Sequence, residues 1–171
     1  MEDALYTRVL QYLNIRLRSE KEIRDYIQKQ LKKPKVAKYI QEDFVTLTNR
    51  LITRLKTAKF LDDMQFALWF IRSRTSFKPK GKRLIRLELL QKGISKDLIE
   101  EAFVEFDRDQ VQHAEEARDE VVLAKELLEK KRRKYEGMEK QERFNKAGSM
   151  LARRGFDLDT IKQAIDSVFG K

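Results

Sequence analysis

The chain has 171 residues, with 38 Lys plus Arg against 28 Asp plus Glu for a formal net charge of +10, and 41 % of its residues, ten Phe among them, are hydrophobic. That apolar content excludes a disordered tail, and the lack of Cys excludes disulfides, thiolate metal sites and Cys nucleophiles. The longest apolar run, Phe66 to Ile71, falls far short of the roughly 20 residues a membrane-spanning helix needs.

The opening Met1-Glu2-Asp3 shows neither a basic n-region nor an apolar h-region, so a soluble, cytoplasmic protein is expected. With 6 Gly and 2 Pro the chain lacks the regular turn signals of a sandwich or barrel, and an all-α fold is expected. Helices are predicted at about 3–15, 19–32, 42–58, 62–76, 81–92, 95–106, 109–135, 138–154 and 157–168. The second opens on Ser19-Glu20-Lys21-Glu22, a capping-box pattern, and carries Ile23, Tyr26, Ile27 and Leu31 on one stripe. Asp62-Asp63 precede Phe66-Ala67-Leu68-Trp69 and read as helix caps, and the dense apolar run makes that helix central to its module. Ile99, Ala102, Phe103 and Phe106 form a further stripe, while the polar 109–135 segment suits a solvated bridge as well as a packed helix.

An internal repeat organises these elements. Gly93 and Gly155 lie 62 positions apart in matching surroundings, Leu89-Leu90-Gln91-Lys92-Gly93-Ile94-Ser95 against Leu151-Ala152-Arg153-Arg154-Gly155-Phe156-Asp157, and the same step back from Ile85 and Leu89 reaches Ile23 and Ile27. Each Gly ends one helix in a left-handed residue, an apolar residue follows, and Ser95 or Asp157 caps the next helix. The first copy has Lys33-Pro34-Lys35 where the others have Gly, so its corner should be looser or longer. Three tandem three-helix repeats with helix-turn-helix-like corners follow, over residues 1–60, 61–107 and 108–171, forming an elongated, curved molecule.

Charge is segregated. Arg72, Arg74, Lys78, Lys80, Lys82, Arg83 and Arg86 crowd one stretch free of acids, an acidic belt runs from Asp97 to Glu129, and Lys130, Lys131, Arg132, Arg133 and Lys134 reverse the sign. The first repeat adds Arg16, Arg18, Lys21 and Arg24. Lys82, Arg83 and Arg86 sit beside apolar Ile85 and Leu89, which predicts a cationic helix face that repels itself unless an acidic partner, a phosphate backbone or a protein surface, meets it. No catalytic constellation assembles: the one His, His113, has no Cys or local Ser partner, no Walker or dinucleotide glycine motif occurs, and neither an enzyme nor a cofactor or metal site is expected. Trp69 and the Phe residues fall at core spacing; only Tyr135 and Phe77, beside basic residues, stand where a ring could stack on a base.

Leu61-Asp62-Asp63-Met64-Gln65-Phe66-Ala67, Ile71-Arg72-Ser73-Arg74, and Lys80-Gly81 leading to Arg86-Leu87-Glu88-Leu89 and Lys92-Gly93-Ile94 resemble the central repeat of the RecX family of bacterial recombination regulators. Arg18-Ser19-Glu20-Lys21-Glu22 is similar to that family's first-repeat signature, and Leu151-Ala152-Arg153-Arg154-Gly155-Phe156 to its third. The resemblance implies a non-enzymatic modulator that lies on the RecA filament on single-stranded DNA and inhibits ATP hydrolysis, strand exchange and co-protease action in the SOS response; a monomer is expected. The basic residues named above, with Arg153 and Arg154, are the expected contacts. The alternative from the same charge is a sequence-tolerant DNA-binding protein whose RecA contact is secondary; a pure DNA binder would have little use for the acidic belt.

Overall fold

The structure, a computed structural model, describes residues 2–37, 42–76, 79–112 and 119–170; Phe77, Lys78 and His113 lie outside them. The described residues form eleven helical segments and no strand. Among the described residues no helix is long and apolar enough to cross a membrane.

Three separate cores divide the chain. In the first, α1 (Glu2–Leu13), α2 (Glu20–Leu31) and α4 (Phe44–Thr57) enclose Val9, Ile23, Ile27, Leu31, Leu51 and Leu55, with α3 (Pro34–Ala37) a single turn between α2 and α4. The predicted stripe holds, except that Tyr26 lies at its edge, stacked on Tyr12 with ring centroids 4.2 Å apart. In the second, α5 (Asp63–Ser76), α6 (Lys82–Gln91) and α7 (Lys96–Gln112) bury Phe66, Phe70, Ile71, Ile85, Leu89, Ile99, Ala102, Phe103 and Phe106. In the third, α8 (Glu120–Glu129), α10 (Lys140–Arg153) and α11 (Leu158–Phe169) pack around Leu123, Leu128, Leu151, Phe156 and Ile165, with the single turn α9 (Arg132–Tyr135) before α10. The accessible surface of 11030 Å² exceeds the roughly 8800 Å² expected of one globule of this 20.4 kDa mass, as modules in series require.

The glycine corners form as their sequence dictates. Gly93 (φ 82°) and Gly155 (φ 88°) adopt the left-handed conformation, and each corner closes with paired bonds: Ile94 N–H to Leu89 O at 3.1 Å and Gly93 N–H to Leu90 O at 2.9 Å, then Phe156 N–H to Leu151 O and Gly155 N–H to Ala152 O. Ser95 and Asp157 then accept from Leu98 N–H and Thr160 N–H as N-caps. In the first module α2 ends at an ordinary right-handed Lys32 and the chain inserts α3 before Asp43 caps α4, so this corner is indeed longer.

A fourth corner had no glycine to announce it. Lys59 takes φ 58° after α4, where Phe60 N–H reaches Leu55 O and Lys59 N–H reaches Lys56 O, both at 2.9 Å. A left-handed side-chain-bearing residue costs roughly 1–2 kcal/mol. Lys59→Gly is therefore expected to raise unfolding stability by about 1 kcal/mol, read as a higher denaturant midpoint; an unchanged or lower midpoint would contradict the strain.

One expectation is overturned. The 109–135 segment is not a single helix: α7 runs on to Gln112, α8 starts afresh after Asp119, and the chain leaves helical geometry at Lys131 (φ −120°, ψ 11°) before α9. Two causes operate at that second break. Five consecutive cations from Lys130 to Lys134 would repel one another along a continuing helix. The break also turns Tyr135 into the third core, 2 % exposed and edge-on to Phe169.

Candidate interaction surface along the middle helices

The modules meet through their middle helices, end to end. Helix α2 sets its N-terminus on the C-terminus of α6: Ser19 Oγ donates to Lys92 O at 2.7 Å, Lys21 Nζ to Gln91 O at 3.0 Å, and Lys92 Nζ to Glu22 Oε1 at 2.8 Å. Helix α6 in turn sets its N-terminus on the end of α10, where Gly81 N–H donates to Arg154 O at 2.9 Å and Arg83 Nη2 to Ala152 O at 3.3 Å, while Arg154 Nη1 donates back to Pro79 O. The last carbonyls of one helix and the first donors of the next are groups that helices leave unpaired, so stacking them satisfies both and aligns the dipoles head to tail.

Both joints follow the 62-residue register. Ser19 corresponds to Gly81, and the glycine that closes each corner, Gly93 or Gly155, is also the surface on which the preceding module rests. A Cβ on Gly93 would stand 2.8 Å from Lys21 Cβ, and one on Gly155 would collide with Leu84. A second device repeats as well: an acid opening the next module's first helix caps the preceding module's middle helix. Glu20 N–H donates to Asp63 Oδ1 at 2.8 Å, and Lys82 N–H to Glu120 Oε1 at 2.7 Å. Burial pushes both carboxyls above their ordinary range. Asp62 caps its own helix, accepting from Met64 and Gln65 N–H, so the Asp62-Asp63 pair divides between two helices.

The expected cationic contacts fall into two groups. Arg72 pairs with Asp109 at 2.7 Å, Lys82 with Asp107 at 2.8 Å, and Arg86 makes two bonds to Glu100 at 2.7 and 2.9 Å with its guanidinium over Phe103. Arg74 and Lys80 share Glu88; burial alone would raise that carboxyl, but the two cations outweigh it and lower its pKa. Arg16 pairs with Glu22, Arg24 with Glu20, and Arg132 with Glu129 and Glu136. The central basic face therefore does not stand unbalanced: much of its charge is met within the chain, in good part by the acidic belt. That internal use also means the belt no longer separates a filament binder from a DNA binder.

The remaining described candidates meet no carboxylate. Arg83, Lys21 and Arg154 rest on backbone carbonyls at the joints, Arg18 lies over the Tyr12 ring at 3.5 Å, and Arg153 is exposed beside the second joint. Lys130, Lys131, Arg133 and Lys134 project from the turn between α8 and α10, Lys134 near the Tyr135 ring. Tyr135 itself, buried against Phe169, is no base-stacking platform. Trp69 is half-buried against Phe66, under Arg16.

Sequence reasoning missed the joint roles of Asp63, Glu120 and Gly81, and the exposure of Leu87 and Leu90 on α6. The 62-residue register would have set Gly81 opposite Ser19; nothing in the sequence pointed to a carboxylate capping a helix of another module.

Three-helix modules joined end to end through their middle helices, with cations displayed at both joints, define a tandem helical-repeat protein. Residues 62–102 match the family description "RecX, second three-helix domain" and residues 118–165 "RecX, third three-helix domain". The regulatory protein RecX of Prosthecochloris aestuarii is 34 % identical over 94 % of this chain and 91 % of its own length, and that of Oceanobacillus iheyensis 32 % identical over 95 % of this chain. The chain belongs to the RecX family. It spans 53 % of the Oceanobacillus protein and 54 % of the Bacillus subtilis one, about half the length of several curated relatives. The crystal structure of RecX from Lactobacillus salivarius shares the fold, with a TM-score of 0.73 at 22 % identity over 98 % of this chain and 96 % of that one.

Proposed function

We propose that this protein binds the RecA filament on single-stranded DNA and inhibits its ATPase, recombinase and co-protease activities. Membership of the RecX family supports RecA as the partner. The end-to-end joints carry the reading: they fix three modules in one row, a shape that contacts several subunits of a polymer at once and gains from multivalency. Most of the central cations are held by carboxylates of the same chain, so recognition falls on those at and beside the joints, Arg83, Lys21 and Arg153. Addition of the protein to RecA on single-stranded DNA should suppress ATP turnover, and Arg83→Glu should relieve the suppression. Unchanged turnover at saturating protein would overturn the reading. Arg86→Glu is a poorer probe, because it would set a second carboxylate against Glu100.

The exposed run Lys130 to Lys134 favours a second reading, direct sequence-tolerant DNA binding. With Arg132 held by Glu129 and Glu136, neutralising four phosphates with Lys130, Lys131, Arg133 and Lys134 would give a log-log salt slope of about 2.8, or roughly fiftyfold weaker binding to single strands between 50 and 200 mM salt. A shallow slope without RecA counts against it.

A further inference from the structure

Among the described residues, helix α6 is the one middle helix flanked by a joint at each end. Its inner face buries Ile85 and Leu89, and its outer face carries Arg83, Leu87 and Leu90 at i, i+4 and i+7. Leu87 is 50 % exposed and Leu90 37 %. The 62-residue register shows that the module does not require leucine there. Asp25 and Ser149 occupy the positions equivalent to Leu87, both exposed, while Gln28 and Ala152 occupy those equivalent to Leu90. The same helix face is thus polar or small in both neighbouring modules and apolar only in the central one.

Cations bracket the leucines. Arg83 stands at one end on the Ala152 carbonyl beside exposed Arg153, and Lys21 stands at the other on the Gln91 carbonyl; none of the three meets a carboxylate. We propose that Leu87 and Leu90 are the anchor by which the array docks on a folded protein, fitting an apolar pocket rimmed by carboxylates. A phosphate backbone offers the charge but no such pocket, and leucine has no ring with which to stack on a base, so the patch speaks for a protein surface. This rests on the reading above, in which that surface belongs to the RecA filament, and it assigns the central contact to protein rather than to DNA.

The test compares the unmodified protein with the double variant Leu87→Ser/Leu90→Gln, which installs residues the neighbouring modules carry at these positions, and with Leu87→Met/Leu90→Met. Binding to RecA filaments on single-stranded DNA, binding to the DNA alone, melting temperature and self-association are measured for each. The expected result is an unchanged melting temperature and DNA affinity, filament affinity at least about tenfold weaker for the Ser/Gln variant, and near-normal filament affinity for the Met variant. Equal filament affinity for the Ser/Gln variant, with the unmodified protein still binding, overturns the anchor and leaves the filament reading standing. No filament binding by the unmodified protein overturns both. A parallel loss of DNA binding makes the patch a nucleic-acid surface, a lower melting temperature makes the leucines structural, and a dimer dispersed by the Ser/Gln substitution makes a second copy the occupant; each of these overturns the proposal.

Discussion

Gly81→Ala is expected to uncouple the third module from the second while leaving both folded. The added Cβ would stand 2.5 Å from Phe156 N and closer still to the carbonyl group of Gly155. These are backbone atoms of a corner held by its own paired hydrogen bonds and a left-handed glycine, so no rotamer change relieves the clash. The modules must separate, with loss of the Gly81 N–H to Arg154 O, Lys82 N–H to Glu120 and Arg83 to Ala152 O bonds. At about 1 kcal/mol net each, the coupling lost is about 3 kcal/mol. None of these bonding groups is among the buried residues of either core, so both cores should survive. Denaturant unfolding should broaden or split into two transitions, solution scattering should report a looser particle, and under the proposed function filament inhibition should fall with the lost multivalency. Gly137→Ala, with nothing within 4 Å of the added carbon, is the matched control. A wild-type midpoint and slope for Gly81→Ala would mean that the joint carries no coupling.

Acid should loosen the other joint through Glu22. Burial disfavours the Glu22 carboxylate, but Arg16 at 2.9 Å and Lys92 at 2.8 Å outweigh it and hold the pKa down at about 2 from an ordinary 4.5. A depressed acid contributes stability that is complete above its unfolded value and is lost as pH falls toward the folded one, here between about 4.5 and 2. Glu22 is partly open to solvent, and screening brings its contribution below the roughly 3 kcal/mol that the full displacement would represent. Asp63 at the same joint is raised by burial, so its contribution has the opposite sign, greatest in acid and declining as pH rises through its folded pKa. Melting temperature measured against pH should drop more steeply below pH 4.5 for the unmodified protein than for Glu22→Gln, which should already be weaker at neutral pH. Parallel curves would remove Glu22 from the joint.

Much of the module was legible in advance. The capping box at Ser19-Glu22, the stripe Ile99, Ala102, Phe103 and Phe106, and the left-handed Gly93 and Gly155 all emerge as expected. The Lys59 corner was not, because only glycine advertises a positive φ and lysine gives no such sign. The expected break-free helix after Asp109 also failed, since the burial of Tyr135 against Phe169 depends on a residue of α11 that local periodicity does not register.

The surface was less legible than the core. A run such as Arg72 to Arg86 records how many cations are present, whereas binding depends on which of them lack a carboxylate in space. Arg83 and Arg86 are three residues apart on one helix, yet Arg86 is held by Glu100 and Arg83 is held by a carbonyl of the next module. Hydrophobic period, caps and glycine corners depend on residues within a turn or two of one another, so the sequence by itself determined the helices, the 62-residue repeat and the three-module plan. The stacking of α2 on α6 and of α6 on α10 joins residues about seventy positions apart, as in Ser19 with Lys92. So do the bonds that spend or spare each charge across modules. Only the tertiary structure could decide those, because proximity across such distances is set by how the modules pack and not by the order of residues along any one helix.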